Sequence, residues 1–445
     1  MLLDPHMVRR LRAEFGDIEL WQTRLVVMAF GALSGLTVVA FTWLGEHALA
    51  LFGRIEAWHR WAPLWWTPLC SATIVWATRR WAPGAAGSGI PQVIAALNPG
   101  VRASSRRWFV STRLAWSKMA LTAWGLLGGL SLGREGPSVQ IAAGVMHAAR
   151  RWLPRRSVIS DQGLLIAGGS AGIAAAFNTP LGGIMFAIEE LSRRPEQRSN
   201  GLVMAAIVLA GLLGISFYGN SSYFGVIHVQ QVSWALLGPG VLVALCCGLA
   251  GGMFARLLTV SLAGTSRDRF SRWRRQYPVR FAAGCGLAVA VIGCASGGST
   301  FGSGYAHNRA LLEGAGDGSG LYVWLKFVAT WITTWSGVPG GIFAPSLSIG
   351  GSLGQQVAQW TGIHDAAALI ALGMAGFLAA VTQAPMTSFI IVMEMIDGYS
   401  LVLSLMTCAL LASSVSRVLS RPLYHRLAEQ QLQRLPRESL PDGER

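Results

Sequence analysis

Charge is what this chain has least of. Only 13% of its 445 residues are Asp, Glu, Lys or Arg, about half the share of an average soluble domain. Hydrophobic residues make up 52%, and the mean hydropathy is +0.45. This composition excludes an ordinary soluble fold and predicts an all-α polytopic membrane protein. Lysine is almost missing: Lys118 and Lys326 are the only two, in a Lys-plus-Arg total of 36. Acids number 21, so the net charge is +15. An excess of that size could serve nucleic acid only from a basic face on a polar domain, and the chain has no such domain. No nucleic-acid partner is expected. The excess fits cytoplasmic loops under the positive-inside rule, with anion attraction into a vestibule as a secondary role.

Paired cysteines are also lacking. Cys70, Cys246, Cys247, Cys285, Cys294 and Cys408 all lie in apolar runs, without C-x-x-C spacing or a suitably placed His. They read as small core hydrophobes, and neither a metal nor a cofactor is expected. No cleavable signal peptide is visible, because residues 1–24 are polar and charged. That stretch reads as an amphipathic cytoplasmic helix. The tail after Arg417 is basic, then polar, and too short for a folded cytoplasmic domain.

What is present is a series of apolar runs punctuated by Gly, Pro and Arg. Runs at 25–53, 63–81, 114–132, 202–218, 234–264, 281–296 and 320–335 read as membrane helices. Gly31 and Gly35 have the GxxxG spacing that lets helices approach closely. Trp61, Trp65, Trp66 and Trp81 flank the second run, as suits a bilayer interface. Arginine clusters at 102–113, 150–156, 193–198 and 267–280 mark one side. Residues 219–232 hold no Lys or Arg and mark the other. The alternation puts both termini in the cytoplasm. Segments 161–177 and 180–191, split at Asn178-Thr179-Pro180, are each shorter than the ~20 residues of a straight span. Residues 365–416 break in the same way at Gln383-Ala384-Pro385 and again near Asp397-Gly398.

The two halves resemble each other. Gly133-x-Glu135-Gly-Pro137-Ser138-x-x-Ile141 lies over Gly341-x-Phe343-Ala-Pro345-Ser346-x-x-Ile349 at an offset of 208. Pro180 with Glu189 lies over Pro385 with Glu394 at 205, and Gly87-Ser-Gly89 over Gly302-Ser-Gly304 at 215. Ala171-Gly172 lies near Ala375-Gly376 in the same order. Repeats with Gly/Pro-interrupted helices mark secondary transporters and related channels, with the site at midplane. The sequence divides into 1–24, a first repeat at 25–218, a second at 219–420 and a C-terminal helix and tail at 421–445. Spacing alone leaves open whether the repeats are inverted.

Three Gly/Pro breaks precede helices, at Ser88–Pro91, Glu135–Pro137 and Phe343–Pro345. Each helix start carries roughly half a positive charge. Three converging starts would hold a small anion without a cationic side chain, whereas isolated breaks merely kink membrane helices. Glu135 would cost about 2.5–3.5 kcal/mol at mid-membrane if uncompensated. It is either a working carboxylate or half of a structural ion pair with Arg134. Glu189 and Glu190 read as a solvated or salt-bridged helix end beside Arg193 and Arg194, and Glu394 and Asp397 read alike. Gly168-Gly-Ser170-Ala-Gly172 matches the G-x-S-x-G of serine hydrolases and opens a rival reading, an intramembrane protease. It lies in an apolar helical run, without the strand–turn–helix setting, and the histidines (His307, His364, His425) fall in loops or at ends.

Three signatures together, Gly87-Ser88-Gly89-Ile90-Pro91, Gly133-Arg134-Glu135-Gly136-Pro137 and Gly341-Ile342-Phe343-Ala344-Pro345, make the chain resemble the CLC chloride channels and transporters from about residue 25 to 430. The resemblance implies two inverted repeats of broken helices and a homodimer in a bacterial inner membrane, each subunit with its own pore. It implies that Ser88 donates its hydroxyl to the anion and that Ile342 and Phe343 supply backbone N–H groups. Tyr424 closes the site from the cytoplasm. Gly89, Ile90, Pro91, Arg134, Gly136 and Ala344 complete the expected anion site. Glu135 is the implied gate, and Lys118 matches a basic residue below the pore. Glu190 matches the internal proton glutamate of the exchangers, which replaces the helix-end reading and implies chloride/proton antiport. A passive voltage- or pH-gated chloride channel is the second reading. Gln92 departs from the Glu of many members. Ser88 argues for chloride, since nitrate exchangers carry Pro there, and the fluoride branch differs at this loop and lacks the tyrosine.

Overall fold

The computed structural model describes residues 17–155, 157–192, 200–219, 236–264, 268–314, 320–363 and 366–433. Among them the secondary structure is helical, apart from one isolated antiparallel bridge between Gly133 and Gly341. The first half holds α1 (Ile18–Trp58), α2 (Pro63–Trp81), α3 (Ile90–Ala96), α4 (Thr112–Leu127) and α5 (Glu135–Ala148). It continues with α6 (Asp161–Phe177), α7 (Pro180–Phe186) and α8 (Asn200–Tyr218). A π-helical turn, Ala187–Leu191, extends α7. The second half holds α9 (Leu237–Ala263), α10 (Arg269–Gln276), α11 (Pro278–Ala295), α12 (Tyr305–Leu312) and α13 (Gly320–Ser336). It ends with α14 (Phe343–Thr361), α15 (Ala367–Thr382), α16 (Pro385–Met395), α17 (Val402–Leu419) and α18 (Leu423–Leu432).

Local chemistry sets many of these ends. Asp17, Ser111 and Ser160 cap α1, α4 and α6 by accepting N–H groups from the first turn. Pro63, Pro180, Pro278 and Pro385 open helices, where a missing N–H costs nothing. The boundary expected at residue 24 falls inside α1, which runs unbroken from Ile18. Residues 1–16, the stretch 220–235 and the tail beyond 433 lie outside the described residues. Among the described residues, five helical segments are long and apolar enough to cross a membrane: Ile18–Trp58, Gly201–Tyr218, Leu237–Ala263, Pro278–Ala295 and Tyr399–Leu419. The helices around the chain breaks are shorter, and the bundle buries their irregular ends in protein, where irregular backbone is tolerated at membrane depth.

The two halves meet each other at corresponding positions, as a twofold relation between them requires. Gly133 and Gly341 exchange both backbone hydrogen bonds, each 2.8 Å, in an antiparallel pair. Residues that correspond in the repeat and exchange bonds with each other lie on the axis. The antiparallel sense puts such an axis across the paired segments, which agrees with inverted repeats. The same symmetry appears off the axis. The Glu189 carboxylate accepts from Met386 N–H (3.2 Å) and Thr387 N–H (2.7 Å), at the start of α16. The Glu394 carboxylate accepts from Leu181 N–H (3.1 Å) and Gly182 N–H (2.7 Å), at the start of α7. Each half thus caps the other's broken helix. This corrects the reading of these two acids as solvated helix ends. Asn178 (φ 56) and Gln383 (φ 60) end α6 and α15 in the left-handed region, again at matching positions.

Helix contact relies on small residues, as it must where lipid supplies no hydrophobic drive between helices. A Cβ on Gly172 would stand 2.5 Å from the Ser138 carbonyl oxygen, and one on Gly168 would stand 2.5 Å from the Met146 Cβ. So α5 and α6 touch backbone to backbone. Ser170 is fully buried within α6, and its motif is a packing surface without the strand–turn–helix setting of a nucleophile. Gly31 and Gly35 fit against Ala206 and Ala210 of α8, as their spacing predicts. Trp61, Trp65 and Trp81 are exposed, while Trp66 donates to the Leu127 carbonyl at 2.9 Å.

Candidate functional site

The axis pair brings the starts of α5 and α14 together, and the loop before α3 joins them. Gly340 N–H donates to the Gly87 carbonyl (3.2 Å). A Cβ on Gly341 would lie 2.9 Å from the Gly136 nitrogen, and one on Gly136 would lie 2.3 Å from the Ser88 hydroxyl oxygen. The three breaks singled out in the sequence therefore meet at one point. The first N–H groups of a helix have no partner within it, so the backbone around Ile342, Phe343, Glu135 and Gly136 faces that point with positive potential.

Two hydroxyls join the focus. Ser88 is 8% exposed and Tyr424 is 1% exposed. Their hydroxyls are close enough to interact with each other, and among the described residues no carbonyl or carboxylate accepts from either. Tyr424 is held by stacking on Phe343, with ring centroids 6.0 Å apart and planes at 15°. A cavity of about 90 Å³ leads to this place from the α18 end, lined by Ser88, Pro91, Ile342 and Tyr424 among others. Ile90 and Pro91 form the first turn of α3 behind Ser88, and Gly89 caps it with φ +110, which a side chain would strain.

Glu135 is 1% exposed. Its carboxylate accepts from the Ala344 N–H at 3.4 Å and lies against the N–H groups of Arg134 and Glu135 itself. A negative group thus sits on converging helix starts, where it is stabilised. The Arg134 side chain does not join it. Its guanidinium donates to the Thr42 carbonyl (3.1 Å) and pairs with Glu46 on α1 (3.0 Å). Of the two readings of Glu135, the structural ion pair with Arg134 is not formed by hydrogen bonding, and the Arg134 charge acts on Glu135 only through space. Glu190 lies in the π turn after α7, a local geometry often found at functional positions. It is 5% exposed, and its Oε1 is 3.5 Å from His425 Nδ1. Tyr424 lies within electrostatic reach of both Glu135 and Glu190.

Sequence reasoning missed what holds the Ser88 loop. The Gln92 side chain accepts from Gly89 N–H (3.0 Å) and donates to the Ala86 carbonyl (2.5 Å), a donation a carboxylate could not make. Lys118 is fully buried and donates to the Ala85 (2.8 Å) and Gly87 (2.5 Å) carbonyls. Lys326 does the same for Thr300 (2.9 Å) and Gly302 (2.8 Å). The two lysines are twofold mates, each tying down a Gly-Ser-Gly loop. The signal was available: they are the chain's only lysines, and 208 residues separate them.

The model of the voltage-gated chloride channel family matches residues 70–417. The chain belongs to the voltage-gated chloride channel family. Members of that family are integral membrane proteins, and the long apolar helices of this chain agree. The chain is 30% identical to the H(+)/Cl(-) exchange transporter ClcA of Cronobacter sakazakii over 450 aligned positions, covering 94% of this chain and 92% of that one. Among solved structures, it resembles a slow cyanobacterial Cl-/H+ antiporter with a TM-score of 0.80 at 23% identity, covering 93% of this chain and 98% of the other. A CLC-type fluoride/proton antiporter gives 0.75 at 21%, covering 91% and 97%. At these identities the likeness establishes the inverted-repeat fold of the family.

Proposed function

We propose that this chain exchanges chloride for protons across a bacterial inner (plasma) membrane. The observation that carries the reading is the pair of buried hydroxyls, Ser88 and Tyr424, which lie beside each other and three helix starts with no carbonyl or carboxylate among the described residues to accept from them. A buried donor left unsatisfied costs about 1–3 kcal/mol, and an anion at the focus satisfies both. Ser88 and Tyr424 then bind the ion by O–H donation, and Ile342 and Phe343 by N–H donation. Ala344 and Gly136 contribute backbone around it.

Glu135 competes with that ion. Ionised, its carboxylate occupies the donors near Ala344; protonated, it loses the charge that holds it there and swings away. Chloride entry therefore favours the protonated gate, and proton release favours the empty one. Glu190 takes protons from the cytoplasmic side and delivers them toward Glu135 by a route apart from the anion path. The shared use of one electropositive site couples the two fluxes. We further read residues 25–218 and 219–420 as the two repeats and both termini as cytoplasmic. The working unit is a homodimer in lipid with one pathway per subunit.

The test is flux in liposomes. Glu190→Gln keeps chloride movement and loses proton movement, while Glu135→Gln moves chloride without pH gating. Proton coupling that survives Glu190→Gln removes Glu190 from the mechanism.

A further inference from the structure

His425 follows Tyr424 on α18 and is not used by the mechanism above. Its Nδ1 is enclosed and lies 3.5 Å from the Glu190 Oε1. The side chain is 22% exposed, against 6% for that of Glu190. One ring therefore touches both a buried carboxylate and accessible space. The distance is at the outer edge of a hydrogen bond, and working contacts of this kind tighten during turnover. Imidazole is the ordinary side chain that titrates nearest neutral pH, and it carries a proton site on each side of the ring.

Arg274 reaches the cavity beside Tyr424, on the same helix as His425. The helices packed on α18 are α3, α9 and α15. No charged side chain occurs in α3 or α15, and the one in α9 is Arg256. Arg256 lines a separate hollow with Arg417, Arg421 and Arg426. Arg426 is paired with Glu429 at 2.8 Å. Glu189, next to Glu190 in sequence, is bound to the start of α16. Among the described residues, Glu190 is the acid that His425 faces.

We propose that His425 is a second protonatable site and the relay between cytoplasmic solvent and Glu190. It takes a proton from water at its outer nitrogen, Nε2, and becomes imidazolium. It passes the Nδ1 proton to the Glu190 carboxylate and returns to neutral. Ring rotation, or proton exchange with water, resets the tautomer, and the steps reverse for outward transfer. The inference rests on the proposed exchange and on Glu190 as its internal acid.

The experiment compares wild type, His425→Asn, His425→Gln, His425→Ala and Glu190→Gln in liposomes, with proton and chloride flux read together across a range of cytoplasmic pH. Bound water offers a slower alternative route, so proton flux per chloride falls roughly a hundredfold in His425→Asn and His425→Gln, the low side of what a positioned acid–base group contributes. Imidazole added on the cytoplasmic side restores proton flux in His425→Ala and does nothing for Glu190→Gln. Monodispersity and chloride binding of each variant show that it is folded. A wild-type proton-to-chloride ratio in both His425→Asn and His425→Gln at every pH overturns the relay while leaving the exchange reading intact. Coupling that persists in Glu190→Gln removes Glu190 from the proton path, and the relay with it, while exchange stands; a wild type that moves chloride without protons overturns the exchange reading itself.

Discussion

Replacing Gly136 by alanine puts a methyl carbon 2.3 Å from the Ser88 hydroxyl oxygen, 3.1 Å from the Ser88 carbonyl oxygen and 3.3 Å from the Gly341 Cα. Ordinary contact begins near 3.4 Å, so the hydroxyl must retreat by about 1 Å while the backbone contacts give by a few tenths. A serine hydroxyl retreats cheaply by turning about one bond. Folding therefore loses only about 1–2 kcal/mol, the low side of an overpacked core. The site loses far more. Turned away, Ser88 no longer points at the focus of the helix starts, and the methyl itself intrudes there. A misplacement of about 1 Å costs on the order of a hundredfold in a positioned site, and a loss of that order is expected in chloride affinity. Calorimetric titration of purified protein with chloride reads the affinity, and thermal unfolding reads the stability. Gly53→Ala is the control, since its added Cβ meets nothing within 4 Å. Wild-type chloride affinity in Gly136→Ala, with the fold intact, would refute the placement of Ser88 at the anion.

Gly133→Ala tests the gate from the other side. Its Cβ would stand 2.3 Å from the Glu135 Oε2, so the carboxylate is expelled from the Ala344 N–H. Chloride flux should lose most of its pH dependence without any change at residue 135, and a wild-type pH profile contradicts the competition model. Glu394→Ala tests the fold apart from the site. It removes acceptors from two N–H groups at the start of α7 and should lower stability by about 1–2 kcal/mol, as the loss of a helix cap does. Glu394→Gln keeps one acceptor oxygen and should lose about half as much; unfolding midpoints in detergent that match wild type for both variants rule out the reciprocal cap.

Much of the fold was legible because membrane helices announce themselves by composition and end at proline and glycine. The run at 63–81 is α2 to the residue, and the breaks at Asn178–Pro180 and Gln383–Pro385 fall where α6 ends and α7 begins and where α15 ends and α16 begins. The convergence of Ser88, Glu135 and Phe343 was legible as three helix starts, two of them repeat mates. Contacts between the halves were not. Glu189 and Glu394 look like helix-end acids, and nothing local says that each meets a helix start about 200 positions away in sequence. Arg134 next to Glu135 left a structural ion pair open; neighbours at a helix start point apart, and which distant acid takes the guanidinium, Glu46 of α1, was not legible. His425 reads as one of the histidines in loops or at ends until the π turn brings Glu190 beside it. The two lysines carried the symmetry in the plainest form, and their meaning depended on seeing which carbonyls they reach.

The central claim, that one electropositive site couples chloride to protons, is tested most directly by the reversal potential of the reconstituted protein. Chloride and pH gradients are varied independently across the bilayer. An exchanger shifts its reversal potential with both gradients, and the account predicts that shift in wild type and its loss of pH sensitivity in Glu190→Gln. A wild-type reversal potential that follows chloride alone, whatever the pH gradient, would make the chain a passive chloride channel and contradict the account.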